Sequence, residues 1–189
     1  ANPNLKIYVS EWNAQSTDWR TGLYCGGLLN AFERCGDILE IGGPALFLRH
    51  VSATAWDNAF INFDQSSWFA APNYVVMKLW RDHYAPERIA VAGEAGPLNV
   101  SATRRPADGA VIVKVVNPSQ EKVAVELAVP ASVSASAQVV APRGLDVRNT
   151  LAEPNRVKPE NLAVRVDGDK VLAEMPALSA GVIVVTTAK

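Results

Sequence analysis

After Tyr84 the 189-residue sequence contains no tryptophan, tyrosine or phenylalanine. Faces that hold sugar rings by stacking need such side chains, so residues 85–189 are poorly equipped for that task. Cysteine is scarce as well. Cys25 and Cys35 form no CxxC pair, and His50 and His83 complete no ligand cluster, which leaves zinc without a site. Ten residues along one helix separate two side chains by about 15 Å, too far for a disulfide, so both cysteines read as free, buried thiols. Charge of one sign is also missing: the formal net charge is −1. That argues against a nucleic-acid surface, and the adjacent Arg104 and Arg105, in a turn with Pro106 and Asp108, read as solvated. No apolar run reaches the length of a membrane span, and no P-loop, dinucleotide fingerprint or GxSxG elbow occurs. A metal, a cofactor, a nucleic acid and a membrane are therefore all expected to be absent from this protein's chemistry.

Hydrophobic residues make up 49 % of the chain, enough for a substantial core. The loss of aromatics, with a shift to Val, Ala, Pro and Ser, marks a boundary near Ala85–Pro86 and predicts two domains, 1–85 and 86–189. In the first, Leu5–Asn13 (LKIYVSEWN) reads as a short strand and Ile38–Gly42 as a second. Between them, Ser16, Thr17 and Asp18 offer caps for a helix over Trp19–Arg34, with Leu23, Leu28, Ala31 and Phe32 on one face and Gly36 ending it. Gly26, Gly27 and Ala31 would let that helix lie close to a neighbour. This strand–helix–strand rhythm predicts a parallel pair. Pro44 opens a stretch expected to be helical or irregular through Val51. Ala59–Phe63 is another strand candidate, and Pro72 starts a helix over Asn73–His83 with Val76, Leu79 and Trp80 inward. Two strands cannot close a barrel, so this half reads as the tail of a larger α/β domain, in keeping with the abrupt opening ANPN.

From Pro86 onward the pattern is short strands: Arg88–Ala92, Leu98–Thr103, Ala110–Asn117, Val123–Val129, Ala137–Ala141, Leu162–Val166, Lys170–Glu174 and Gly181–Thr187. Turn signals separate them at Asp108-Gly109, Asn117-Pro118-Ser119 and Asp167-Gly168-Asp169. This spacing predicts an antiparallel β-sandwich of jelly-roll type, with Arg148–Glu160 crossing between sheets.

The remaining chemistry is that of carboxylates. Glu33 and Asp37 flank a helix end and read as solvated, Glu40 as a paired core acid inside a strand, and Asp64 as an acid able to reach a cleft. Glu11 ends a strand, where α/β barrels keep their catalytic groups, and can serve as nucleophile or general acid/base. A solvent-exposed glutamate after an ordinary strand is the plain alternative. A retaining glycosidase needs a second carboxyl about 5–5.5 Å away, and among the acids of the first 84 residues none is a convincing partner. Trp56-Asp57-Asn58 suits a polar cleft, with Trp56 either a sugar-stacking platform or a packing residue at the rim.

The segments SEWN (Ser10–Asn13), WRTGLY (Trp19–Tyr24), LLNAFER (Leu28–Arg34), WDNAFINFD (Trp56–Asp64) and PNYVVMKLWRDHY (Pro72–Tyr84) together resemble the C-terminal part of glycoside hydrolase family 51 α-L-arabinofuranosidases. RNTLAEPNRVKPE (Arg148–Glu160) and MPALSAGVIVV (Met175–Val185) extend the resemblance over essentially the whole chain. It implies the last strands of a (β/α)8 barrel followed by a β-sandwich, with Glu11 as the nucleophile of a retaining, exo-acting enzyme. The acid/base glutamate would lie on an earlier barrel strand. Asn13 would support the loop or the nucleophile, and Trp12 would pack. Gln15 stands where some relatives carry a sugar-facing aromatic.

The partners implied are an arabinose-containing polysaccharide or oligosaccharide and the remainder of the barrel, upstream or on a separate chain. Association into homo-oligomers is also implied. Alone, the chain is expected to be inactive. Two other readings stay open: a carbohydrate-binding or structural module, and an endo-glucanase or xylanase on the same fold. The compartment is left open.

Overall fold

The computed structural model describes residues 4–188. Strand β1 (Ile7–Trp12) and strand β2 (Leu39–Pro44) are parallel neighbours, joined by helix α1 (Trp19–Arg34). Asp18 caps α1, its Oδ1 accepting from the Arg20 backbone N–H at 3.0 Å. The C-terminal cap is Cys35, whose N–H donates to Ala31 O at 3.0 Å, and the following Gly36 is not in the left-handed region. Cys35 is exposed, in contrast to the expected buried thiol, because the chain turns to solvent there; Cys25 is buried.

The stretch expected to be helical or irregular after Pro44 contains strand β3 (Leu48–His50). It pairs in parallel with β4 (Ile61–Phe63), which pairs antiparallel with β5 (Trp68–Ala70). Helix α2 (Pro72–Asp82) follows, with Val76, Leu79 and Trp80 buried.

Two antiparallel sheets complete the chain. The larger has the order β11-β10-β14-β8-β7-β6, formed by β6 (Glu87–Ile89), β7 (Asn99–Arg104), β8 (Val111–Asn117), β10 (Ser132–Val140), β11 (Glu160–Asn161) and β14 (Ser179–Thr187). The smaller has the order β12-β13-β9, formed by β9 (Val123–Ala128), β12 (Val164–Asp167) and β13 (Lys170–Met175).

Strand alternation explains how the larger sheet serves two cores. Val111, Val113 and Val115 of β8, with Ile183 and Val185 of β14, meet Val125, Val171 and Met175 of the smaller sheet. Their neighbours Ile112, Val116, Ala180 and Val182 face the other way, onto Trp19, Cys25, Val76, Leu79 and Trp80 of the two helices. The helices press closely: a Cβ added at Gly26 would lie 2.8 Å from Val116 Cγ2. The buried stripe of α1 is therefore Trp19, Gly22, Cys25, Gly26 and Asn30, and the face carrying Leu23, Leu28, Ala31 and Phe32 is only half-buried.

A polar cluster crosses this helix–sheet seam. Lys114 on β8, only 1 % exposed, donates to Glu33 Oε1, and the Ser101 hydroxyl lies 2.6 Å from Glu33 Oε2. Trp80 Nε1 donates to Asn30 Oδ1 at 2.9 Å, and Asn30 Nδ2 donates to Asn99 O at 3.0 Å. Burial pushes the Lys114 pKa down, and the Glu33 carboxylate opposes that shift. Glu33 is thus an interlayer partner and not the solvated acid its helix-end position suggested. Its partner lies far along the chain, beyond the reach of local reading.

Candidate active site

Glu11 lies near the carboxyl end of β1, beside the end of the parallel strand β2. Side chains alternate along β1, so Glu11 is exposed while its neighbour Trp12 turns inward and is 7 % exposed. Trp12 sits edge-on to Phe32 of α1 (centroids 6.0 Å apart) and to Phe60 (5.4 Å), and Phe60 stacks on Phe47 at 5.9 Å. This aromatic layer supports the strand end beneath Glu11.

A cavity of about 400 Å³ opens at that end. Glu11, Trp12, Asn13, Gln15 and Trp56 all line it, together with Asn58, Ala45 and Leu46. Trp56 is 71 % exposed and adopts a left-handed backbone (φ 56°), an uncommon conformation for a bulky residue, which sets its indole at the mouth. Ala45 and Leu46, joined by a cis peptide, escaped sequence reading. The available signal was their place just past β2, the parallel neighbour of the Glu11 strand.

Three asparagines fix the walls. Asn13 Nδ2 donates to Asn58 O at 2.8 Å, and Asn58 Nδ2 donates back to Ala14 O at 2.7 Å. Asn13 Oδ1 accepts from the Ala14 N–H at 2.8 Å and from Asn73 Nδ2, at the start of α2, at 3.1 Å. Asn13 thus clamps the loop after β1 to the segment bearing Trp56 and Asn58. The Trp12 indole N–H is buried without a hydrogen-bond partner among the described residues.

No other carboxylate lines this cavity, and Glu11 has no hydrogen-bond or ion-pair partner among the described residues. The other acids lie elsewhere. Glu40 is exposed and stands 3.7 Å from Lys6, so it is not a core acid. Asp64 does not reach into the cleft: it accepts from the Ser66 and Ser67 backbone N–H groups at 2.8 and 2.7 Å, which holds its pKa below the usual carboxylate value. Among the described residues no cluster of His, Cys, Asp or Glu could hold a metal ion, and no helix is long and apolar enough to cross a membrane.

The fold recurs in solved structures. The arabinose-bound MgGH51 α-L-arabinofuranosidase matches with a TM-score of 0.82 and 22 % identity, over 95 % of this chain and 28 % of that one. The GH51 arabinofuranosidase from Xanthomonas axonopodis pv. citri matches with a TM-score of 0.79 and 18 % identity, over 96 % of this chain and 41 % of that one. The catalytic domain of GH30 xylanase C from Talaromyces cellulolyticus gives a TM-score of 0.73 and 19 % identity, over 98 % of this chain and 42 % of that one. The chain therefore spans less than half the length of each of these structures. No curated protein is matched. Its fold is that of the C-terminal part of such enzymes, a barrel segment followed by an antiparallel sandwich. The family described as the alpha-L-arabinofuranosidase C-terminal domain matches residues 8–179, nearly the whole sequence, and the chain belongs to that family.

Proposed function

We propose that this chain is the nucleophile-bearing part of a retaining, exo-acting α-L-arabinofuranosidase that removes terminal arabinofuranosyl groups from arabinoxylan or arabinan. The observation that carries this reading is the cavity at the end of β1, where Glu11 is the sole lining acid among the described residues and Trp56 offers an exposed ring. Glu11 attacks the anomeric carbon as the bond to the leaving oxygen breaks, giving a glycosyl-enzyme. Water, losing a proton to the carboxylate that had protonated the leaving group, then attacks the same carbon, releases L-arabinose with retained configuration and frees the Glu11 carboxylate. The proton for the leaving group comes from a second carboxyl about 5–5.5 Å away, which we assign to the remainder of the barrel. Asn13 and Asn58 hold the loop, and Trp12 and Gln15 complete the wall. In this reading residues 1–85 are the barrel segment and 86–189 the sandwich.

The test uses the chain together with the rest of its barrel and an aryl α-L-arabinofuranoside. Glu11→Gln is expected to lower kcat roughly 10³-fold or more. Glu11→Ala with added azide should release an arabinosyl azide of inverted configuration, because azide enters from the face Glu11 has vacated. Wild-type turnover in Glu11→Gln would exclude the proposal.

The likeness to GH30 xylanase C favours one rival, an endo-acting xylanase. Release of long xylo-oligosaccharides from unsubstituted xylan, with the arabinoside left intact, would select it.

A further inference from the structure

A second cavity lies behind the segment that carries Trp56. Asp57 lines it, whereas its neighbours Trp56 and Asn58 line the Glu11 cavity, so one stretch of chain forms the partition between the two. The second cavity is about 300 Å³ with a mixed polar and apolar lining, and Arg49, Arg148, Thr17 and Thr150 are among its polar residues.

The two arginines are held by neutral groups. Arg49 Nε donates to Ala55 O at 3.4 Å, another of its nitrogens donates to Ala53 O, and its Nη1 stands 3.5 Å from Asn62 Oδ1. Arg148 Nη1 donates to Thr17 Oγ1 at 3.3 Å. Neither guanidinium forms an ion pair among the described residues, whereas Arg20, Arg88, Arg105, Arg156 and Arg165 each do. The buried Asn149 sets the position of its neighbour Arg148: its Nδ2 donates to Ala70 O at 2.8 Å and to Val157 O at 3.0 Å, tying that loop to β5. The pocket thus presents two oriented guanidiniums against the one carboxylate of Asp57, an excess of positive charge in a concave site. Guanidinium groups so placed favour a planar carboxylate, which takes two N–H donors from each fork.

We propose that Arg49 and Arg148 form a subsite for the carboxylate of a uronic acid unit on the same polysaccharide whose arabinosyl group meets Glu11. The proposal rests on the glycosidase reading above. A sugar carboxylate is favoured over other anions because consecutive residues of one segment line both sites, Trp56 and Asn58 the Glu11 cavity and Asp57 this pocket. A branched glycan can lie across that partition, with its neutral arabinosyl branch on one side and its acidic unit on the other.

The experiment is an NMR titration of the isotopically labelled 189-residue chain with methyl glucuronide, set against methyl glucoside as its neutral counterpart. Saturable shifts at the Arg49 and Arg148 side-chain Nε signals are expected with the glucuronide alone, weakening as salt is raised. Arg49→Gln and Arg148→Gln should each reduce affinity about tenfold, and Glu11→Gln should leave it unchanged. Arg49 also holds the Ala53 and Ala55 carbonyls, so Arg148→Gln is the variant that decides if Arg49→Gln disturbs its loop. The absence of saturation, an equal response to the glucoside, an equal response to inorganic phosphate, or unchanged affinity in Arg148→Gln would each overturn the subsite. Binding is read without hydrolysis. Failure here with an essential Glu11 rejects the subsite alone, whereas bound glucuronide with a dispensable Glu11 rejects the glycosidase reading.

Discussion

The six-stranded sheet and the β1–β2 pair both carry apolar residues on their strands, yet they end in opposite states. Both faces of β8 are covered, one by the helices and one by the smaller sheet, and every residue from Val111 to Asn117 is buried. On the β1–β2 pair, Ile7, Tyr8 and Ile41 stand exposed, as does Leu5 just before the pair. A parallel pair of strands is stable in proteins when both faces are covered. The contrast teaches that the same kind of strand is buried on both faces in the larger sheet and left with an apolar face exposed in the pair beside Glu11. Glu11 sits beside that exposed apolar face.

Single truncations should expose this contrast most strongly. Ile183→Ala, in the core between the two sheets, should lower unfolding free energy by about 2–5 kcal/mol in urea titrations. Ile41→Ala, at a residue 57 % exposed, should cost below about 0.5 kcal/mol in the same assay. If the rest of the barrel is supplied, the Ile41→Ala cost should rise to that of a core site; an unchanged cost would show that nothing packs on this face.

Next in size is the seam between α1 and β8. Glu33→Ala leaves the Lys114 ammonium buried without its anion and should cost about 3 kcal/mol. The sign of its pH dependence follows from the lowered Lys114 pKa. Between that value and 10.5 the unfolded chain binds more protons than the native one, so stability climbs as pH rises through the window. Removing Glu33 lowers the native pKa further, so the deficit of the variant should shrink as pH approaches 10.5. A deficit that grows with pH would reject the buried-ammonium account.

Smaller effects separate two adjacent glycines. Gly26→Ala forces a Cβ against Val116 and should cost about 1–3 kcal/mol. Gly27→Ala meets only Asn99 Nδ2 at 3.4 Å, and the gain in helix propensity should leave it neutral or up to about 0.5 kcal/mol more stable. The smallest effect lies at a turn of the sandwich. Arg105 donates to Asp108 and holds its pKa down to about 2. The charge preference of this pair acts above the ordinary carboxylate value of 3.8 and fades as pH falls through about 2. In Arg105→Gln the Asp108 NMR titration midpoint should move up toward 3.8.

Local signals in the sequence were sufficient where local chemistry decides. The helix over Trp19–Arg34 has its cap at Asp18, and the strand over Ala110–Asn117 has its buried β-branched run; both form with nearly those limits. Strand β3 was hidden because three residues carry little periodicity and its pairing depends on β4, across an intervening loop. The two-residue strand β11 was hidden for the same reason. Glu33 was misread because its partner Lys114 lies in a different layer. Around Glu11, the residues quoted from the sequence line one cavity, but the asparagine clamp from Asn13 through Asn58 to Asn73 needed the fold to bring three distant amides together.

Trp19 gives the loop after Glu11 an anchor outside its own strand pair. Its indole N–H donates to Leu178 O at 2.5 Å and its backbone N–H donates to Leu145 O at 3.0 Å, both in the sandwich half of the chain. The loop carrying Asn13 and Gln15 is therefore suspended between β1 and a foreign support, as a cable is between two towers. A chimera that exchanged the sandwich for that of a relative would move one tower, and the reach of Gln15 into the cavity would change without a substitution anywhere near it.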